Sequence, residues 1–224
     1  MVASFAELRR KMVDNQIRTR DVTDLSVLEA FLTVPREDFV PEDVKALSYL
    51  DTDVALCSEQ KGGLANYLMG PASLAKLLQL AAVKSSDVVL DIGAKSGYCA
   101  ALLSKLAESV IALESNQTLS EQASKILERN RCDNVIVVHG PLEHGHAAKG
   151  PYDLIFIEGA VDFVPENIFD QMKDGGRLVV VEGHGNTGVA RIYMKTDGII
   201  STRRAFNLAV KCLPSFLRAP DFVF

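Results

Sequence analysis

From Asp87 onward, short apolar runs alternate with segments of helical spacing. No other feature of this sequence limits the fold as strongly. Val88-Val89-Leu90-Asp91-Ile92 is almost continuously apolar, as a parallel strand covered on both faces must be. Ser96 to Ala107 has helical periodicity. Val110 to Glu114 is expected to be a second strand, Thr118 to Asn130 a second helix, and Asn134 to Val138 a third strand. Asp153 to Ile157 reads as a fourth strand, and Pro165 to Met172 as a short helix. The turn Lys173-Asp174-Gly175 then leads into a fifth strand, Gly176 to Val181. Two more apolar segments follow, around Ala190 to Met194 and near the end of the sequence. Repeated strand–helix units build a doubly wound, mostly parallel sheet. In such sheets ligands bind outside the carboxyl ends of the strands.

The first third of the chain has a different texture. Phe5, Leu8 and Met12 share one helical face, between charged residues that leave no apolar core for a signal peptide. Asp24 or Thr23 can cap a helix carrying Leu25, Leu28, Phe31 and Leu32, which Pro35 ends. A further helix follows Pro71, with Leu74, Leu77, Leu78 and Ala81 at helical spacing. We therefore expect a helical extension over residues 1–80, packed on an α/β domain over residues 81–224.

Composition narrows the function. The chain has 224 residues, 48% of them apolar, which is enough for a sizeable core. Its net charge of -5 disfavours general binding to phosphate backbones. No apolar run approaches the roughly 20 residues that span a bilayer. Cys57, Cys99, Cys132 and Cys212 are scattered without a C-x-x-C pair, and read as reduced, mostly buried thiols of a cytoplasmic protein.

The chemistry points to Leu90-Asp91-Ile92-Gly93-Ala94-Lys95-Ser96-Gly97-Tyr98. It ends a strand, turns on glycine and opens a helix. Glu114 ends the next strand, about 20 residues on, where an acid can accept two ribose hydroxyls. Gly93-x-x-x-Gly97 lacks the third glycine of a dinucleotide fingerprint. Asp91 would also sit poorly beside a pyrophosphate. The pair suits an adenosyl cofactor with an amino-acid tail and a sulfonium. His139, Glu143, His144 and His146 crowd one loop, which reads as a solvated polar connection and not a metal site. Glu158 and Asp162 follow the fourth strand and read as a polar loop on the ligand edge. Glu182-Gly183-His184-Gly185 reads as the turn after the fifth strand, and Arg203-Arg204 as a surface pair.

At this point the sequence resembles the protein-L-isoaspartate O-methyltransferases over nearly its whole length. The resemblance rests on Leu28-x-x-Phe31-x-x-Val34-Pro35-Arg36-Glu37-x-Phe39-Val40-Pro41 with Tyr49-x-Asp51, and on the Gly93 loop. It also rests on Tyr152-Asp153-Leu154-Ile155, on Leu178-Val179-Val180, and on the closing Leu213-Pro214-Ser215-Phe216 to Asp221-Phe222-Val223-Phe224, which looks like a bacterial subset. It implies a Rossmann-like class I methyltransferase fold with a seven-stranded sheet. It also implies S-adenosylmethionine as cofactor, S-adenosylhomocysteine as product, and a protein or peptide with an isoaspartyl carboxylate as acceptor. The cofactor positions it implies are Asp91, Gly93, Ala94, Lys95, Gly97, Glu114, Gly140 and Pro141. The acceptor positions are Gly62, Gly63, Met69 and Pro71.

This chain departs from the family pattern at four places. Lys95 stands where the family usually has glycine. Pro141 stands where it usually has an acid, a role Glu143 could take over. Met69 and Ala72 replace a hydroxyl and a ring, leaving Tyr67 and Ser73 as nearby hydroxyls that could substitute. Three functions stay open: an isoaspartyl methyltransferase, a methyltransferase with another acceptor, or a family member without catalysis that acts through protein interaction. No membrane or nucleic-acid partner is expected, and monomer and dimer are not separated.

Overall fold

The computed structural model describes residues 4–56 and 66–218. Helix α1 (Phe5–Met12) starts at a reciprocal cap, in which the Ser4 hydroxyl accepts from Glu7 N–H and the Glu7 carboxylate accepts from Ser4 N–H. Helix α2 (Leu25–Thr33) starts where the Asp24 carboxylate accepts from Ser26 and Val27 N–H. Two short strands, β1 (Val54–Ala55) and β2 (Tyr67–Leu68), pair antiparallel. Helix α3 (Pro71–Ala81) has proline in its first turn, where the missing N–H leaves nothing unpaired.

The sheet then follows as β3 (Val88–Ile92), α4 (Tyr98–Ser104), β4 (Ser109–Glu114), α5 (Gln117–Arg129), β5 (Val135–His139), β6 (Tyr152–Val161), α6 (Glu166–Asp170), β7 (Met172–Glu182), β8 (Val189–Thr196) and β9 (Ile199–Asn207). Its seven strands run in the order β5-β4-β3-β6-β7-β8-β9. Strands β5 to β7 are parallel, while β8 and β9 are antiparallel additions. The strand order reverses between β3 and β6, so a crevice opens at the carboxyl ends of these two strands.

Both faces of the sheet are covered. Val89, Val179 and Val181 enter one buried cluster together with Met12, Phe31 and Leu74. Leu90, Leu178 and Val180 enter the other, with Ile168 and Phe216. The first cluster runs without a break from Met12 to Val210, so the helical N-terminal region shares a core with the sheet.

Two buried arginines fasten that region. Arg36, fully buried, donates to the carbonyls of Ser48 (2.7 Å) and Met69 (2.8 Å), and its guanidinium lies 4.9 Å from the Tyr98 ring centre. Arg177 of β7 pairs with Asp87 at 2.6 Å, and also donates to the carbonyls of Ala81, Ala82 and Asp153. It thereby closes the C-terminal end of α3, where Ala82 turns left-handed, onto the sheet.

The structure corrects the sequence at several elements. The helix expected from Ser96 to Ala107 is shorter, Tyr98–Ser104. The turn expected at Lys173–Gly175 lies inside the long strand β7, which passes it with Gly175 at φ 76°. The last strand is not the apolar stretch near the end but β9, a mostly exposed edge strand carrying Arg203 and Arg204. An edge strand tolerates charge, so hydrophobic patterning does not mark it.

Candidate functional site

The crevice is built from the ends of β3, β4 and β6. After β3, the chain turns at Gly93 (φ 85°) and again at Gly97 (φ 89°), both values that only glycine adopts without strain. Between them Lys95 holds φ 52°, in the left-handed region that disfavours a side chain. Glu114, almost fully buried at the end of β4, accepts Lys95 N–H and Asn116 N–H, each at 2.7 Å. Glu114 and the glycine loop therefore meet at the carboxyl ends of β3 and β4. Ala94 is buried in the loop between them.

Behind the loop, ionisable groups are packed in buried positions. Asp91 is completely buried, and neither of its oxygens has a hydrogen-bond partner. Glu158, 1% exposed within β6, has an unpartnered Oε1. The Lys95 ammonium reaches into this group, donating to the Glu158 carbonyl at 2.6 Å and lying 3.7 Å from its carboxylate. Burial first, then repulsion from Glu158, raises Asp91 well above the usual carboxylate range. Burial likewise pushes Glu158 up to about 7, against the pull of Lys95. Glu158 was expected in a polar loop. It lies instead inside β6, because this strand runs on to Val161.

A stability prediction follows from Glu158. The folded chain keeps its proton up to about pH 7, whereas the unfolded chain loses it near 4.5. Between these values the native state binds more protons, so stability falls as pH rises through this window. Glu158→Gln is expected to gain on the order of 2 kcal/mol over wild type between pH 5 and pH 8 in urea unfolding. An equal difference between the two proteins at both pH values would contradict this.

The C-terminal segment covers the loop. Lys211 C=O accepts from Ala160 N–H and Leu213 N–H donates to Ala160 C=O, both at 2.9 Å, which lays residues 211–213 along the end of β6. The buried Leu213 side chain then rests on Gly93 and Gly159, where an added Cβ would lie 3.1 Å and 2.7 Å from it. Among the described residues this leaves a cavity of about 20 Å³, bounded by Tyr67, Met69, Lys95, Glu158, Cys212 and Leu213.

Other expected residues are dispersed. Pro71 opens α3 behind Met69. Ser73 does not join this cavity; it lies in the first turn of α3 and borders a neighbouring one with Asp51, Asp53 and Lys76. Gly140 N–H donates to the Glu114 carbonyl at 3.0 Å, so the end of β5 lies beside the acid. Pro141 is exposed and does not line the cavity. The Glu143 carbonyl accepts from the Asn167 side chain at 3.0 Å, which ties its loop to α6. His139 contacts the Ser115 carbonyl at 3.0 Å. Gly62, Gly63 and Cys57 lie outside the described residues, as do Asp221 to Phe224. Lys95, Glu158 and Leu213 do most to shape the site. Of these, Glu158 was placed on the ligand edge as a substrate contact or, by preference, a polar loop, and Leu213 was missed as a site residue.

The residue set fits an adenosyl cofactor. Glu114 closes β4 beside the glycine turn, at the edge where an acid can accept a ribose diol. Behind it the Lys95 ammonium lies beside the buried Glu158 carboxylate.

The family model for protein-L-isoaspartate(D-aspartate) O-methyltransferase matches residues 7–211. The chain belongs to this family. A protein-L-isoaspartate O-methyltransferase of Opitutus terrae is 34% identical over 191 residues, spanning 85% of this chain and 79% of the relative. One from Shewanella sediminis is 36% identical over 180 residues, spanning 80% and 71%. A solved protein-L-isoaspartate O-methyltransferase superposes with a TM-score of 0.80 at 26% identity, over 94% of this chain and 66% of its own. A Plasmodium falciparum structure in complex with S-adenosyl-L-homocysteine superposes at 0.77 and 20% identity, over 96% of this chain and 100% of its own, and supports the fold. Membership favours methyl transfer over an interaction module without catalysis. Among the described residues, no helix is long and apolar enough to cross a membrane.

Proposed function

We propose that this protein transfers a methyl group from S-adenosylmethionine to the carboxylate of isoaspartyl residues in proteins or peptides. The observation that carries this is the family match over residues 7–211, falling on a sheet that brings Gly93, Gly97 and Glu114 together at one crevice. When bound, the cofactor supplies an electrophilic methyl group on a sulfonium. Glu114 would hold its ribose hydroxyls. Gly93 lets the turn pass beneath Leu213, and Gly97 lets the start of α4 pack against Leu127 and Ala123 of α5.

The acceptor needs no base from the protein. A carboxylate with a pKa of about 4 is ionised at neutral pH. The chain's part is therefore to position the acceptor and exclude water. Leu213 and Met69, both buried against the cavity, supply the dry wall. Tyr67 borders the cavity with its hydroxyl-bearing ring, against which Lys211 packs at 4.9 Å from the ring centre. Tyr67 is the acceptor-side hydroxyl we favour, since Ser73 faces elsewhere.

The test is transfer of labelled methyl from S-adenosylmethionine to an isoaspartyl peptide, with the same peptide carrying ordinary aspartate as control. Label on the isoaspartyl peptide alone is expected. Cofactor binding without label on that peptide would exclude this acceptor.

A further inference from the structure

Outside the methyl-transfer residues, three side chains converge at the carboxyl edge of the sheet. Asp162 follows β6, His184 follows β7, and Cys212 lies on the segment laid against β6. Cys212 Sγ is 3.1 Å from His184 Nδ1. His184 Nε2 contacts Asp162 Oδ1. Asp162 is itself held, since its other oxygen accepts Arg218 N–H at 2.7 Å. Elements far apart in sequence thus place a thiol, an imidazole and a carboxylate in series. That order defines a nucleophile, its base and the group that orients the base.

We propose that Cys212, His184 and Asp162 form a nucleophilic site, bordering the methyl-transfer cavity but using none of its cofactor-holding residues, that accepts a short acyl group from an activated ester. Acyl transfer is favoured over simple alkylation by the third member. A carboxylate on the far ring nitrogen fixes the tautomer, which matters when the imidazole must take a proton and then return it. Burial and Asp162 push the Cys212 thiol up, while neighbouring Lys211 pulls it down, so the thiol rests protonated and depends on His184. Cys212 is partly exposed and also borders the small cavity beside Leu213.

The step balances without an oxidant. Cys212 Sγ bonds to the ester carbonyl carbon as its proton passes to His184 Nδ1. The bond from that carbon to the alkoxy oxygen breaks, and His184 returns the proton to the leaving alcohol. Cys212 is left as a thioester.

The probe is p-nitrophenyl acetate with the full-length protein, followed by release of nitrophenol and by peptide mapping. A stoichiometric burst is expected, with the acetyl group on Cys212 and not on the buried Cys99 and Cys132. His184→Ala is expected to slow acylation about a hundredfold, and Asp162→Asn to slow it less. Cys212→Ser removes the thioester. Wild-type Cys212 is also expected to react at least about tenfold faster than the same cysteine in a short peptide, a comparison that needs no variant to fold. Acetyl found elsewhere with Cys212 unlabelled, an unchanged rate in His184→Ala, or reactivity no greater than the peptide's would overturn the proposal.

Discussion

Lys95→Gly is expected to bind S-adenosylhomocysteine roughly ten- to a hundredfold more tightly than wild type in calorimetric titration. In the native chain the Lys95 ammonium is buried, donates to the Glu158 carbonyl at 2.6 Å, and occupies the acidic group around Asp91. A cofactor bringing its own cation must first displace this ammonium. A hydrogen bond from a charged donor contributes about 1.5–3 kcal/mol, and each 1.4 kcal/mol is about tenfold in affinity. Glycine removes that competitor and adopts the backbone angle of 52° without strain. Weaker binding in the variant would mean that the ammonium is a ligand of the cofactor, most simply of its carboxylate. Equal binding would mean that Lys95 swings clear at no cost. Melting temperatures of the two proteins without ligand separate a binding effect from a folding one.

Asp87→Ala is expected to destabilise the protein by about 3–5 kcal/mol, because Arg177 would keep its charge in a buried position without a counter-ion. The pair is 2.6 Å apart, with side chains 9% and 4% exposed. The same Asp87 carboxylate accepts Lys84 N–H at 2.7 Å, so the turn ahead of β3 loosens too. Against a typical total of about 5–15 kcal/mol this is a large share. For a chain of this size it corresponds to a fall of about 6–20 °C in melting temperature. Urea unfolding of the variant, and of the double variant Asp87→Ala/Arg177→Met, checks the cause. The second change removes the stranded charge and is expected to restore part of the loss. A loss below about 1 kcal/mol in the single variant would show that water reaches Arg177.

The sequence carried the sheet because its strands are buried on both faces and therefore read as unbroken apolar runs, as in Val88–Ile92 and Leu154–Ile157. The same logic hid β9, whose exposed edge requires no such run. Glycine and acid spacing located Gly93, Gly97 and Glu114 because backbone angle and strand length constrain them locally. Lys95 was legible as a departure, but not where its ammonium goes, since Glu158 is 63 positions away in sequence. Leu213 over Gly93, and Cys212 beside His184, depend on how the tail folds back along β6, which no local pattern encodes. Ser73 looked equivalent to Tyr67 by proximity in sequence. The α3 helix turns it toward a different cavity.

The placement of Leu213 bears on the order in which a ribosome delivers this protein. The glycine turn after β3 emerges long before the segment that shelters it, and domains begin to form from the N-terminal side during synthesis. A nascent chain with β3, β4 and β6 in place but residues 211–213 still in the exit tunnel has an uncovered floor at Gly93 and Gly159. The crevice is therefore most open before residues 211–213 emerge, and their arrival along β6 is the event that roofs it.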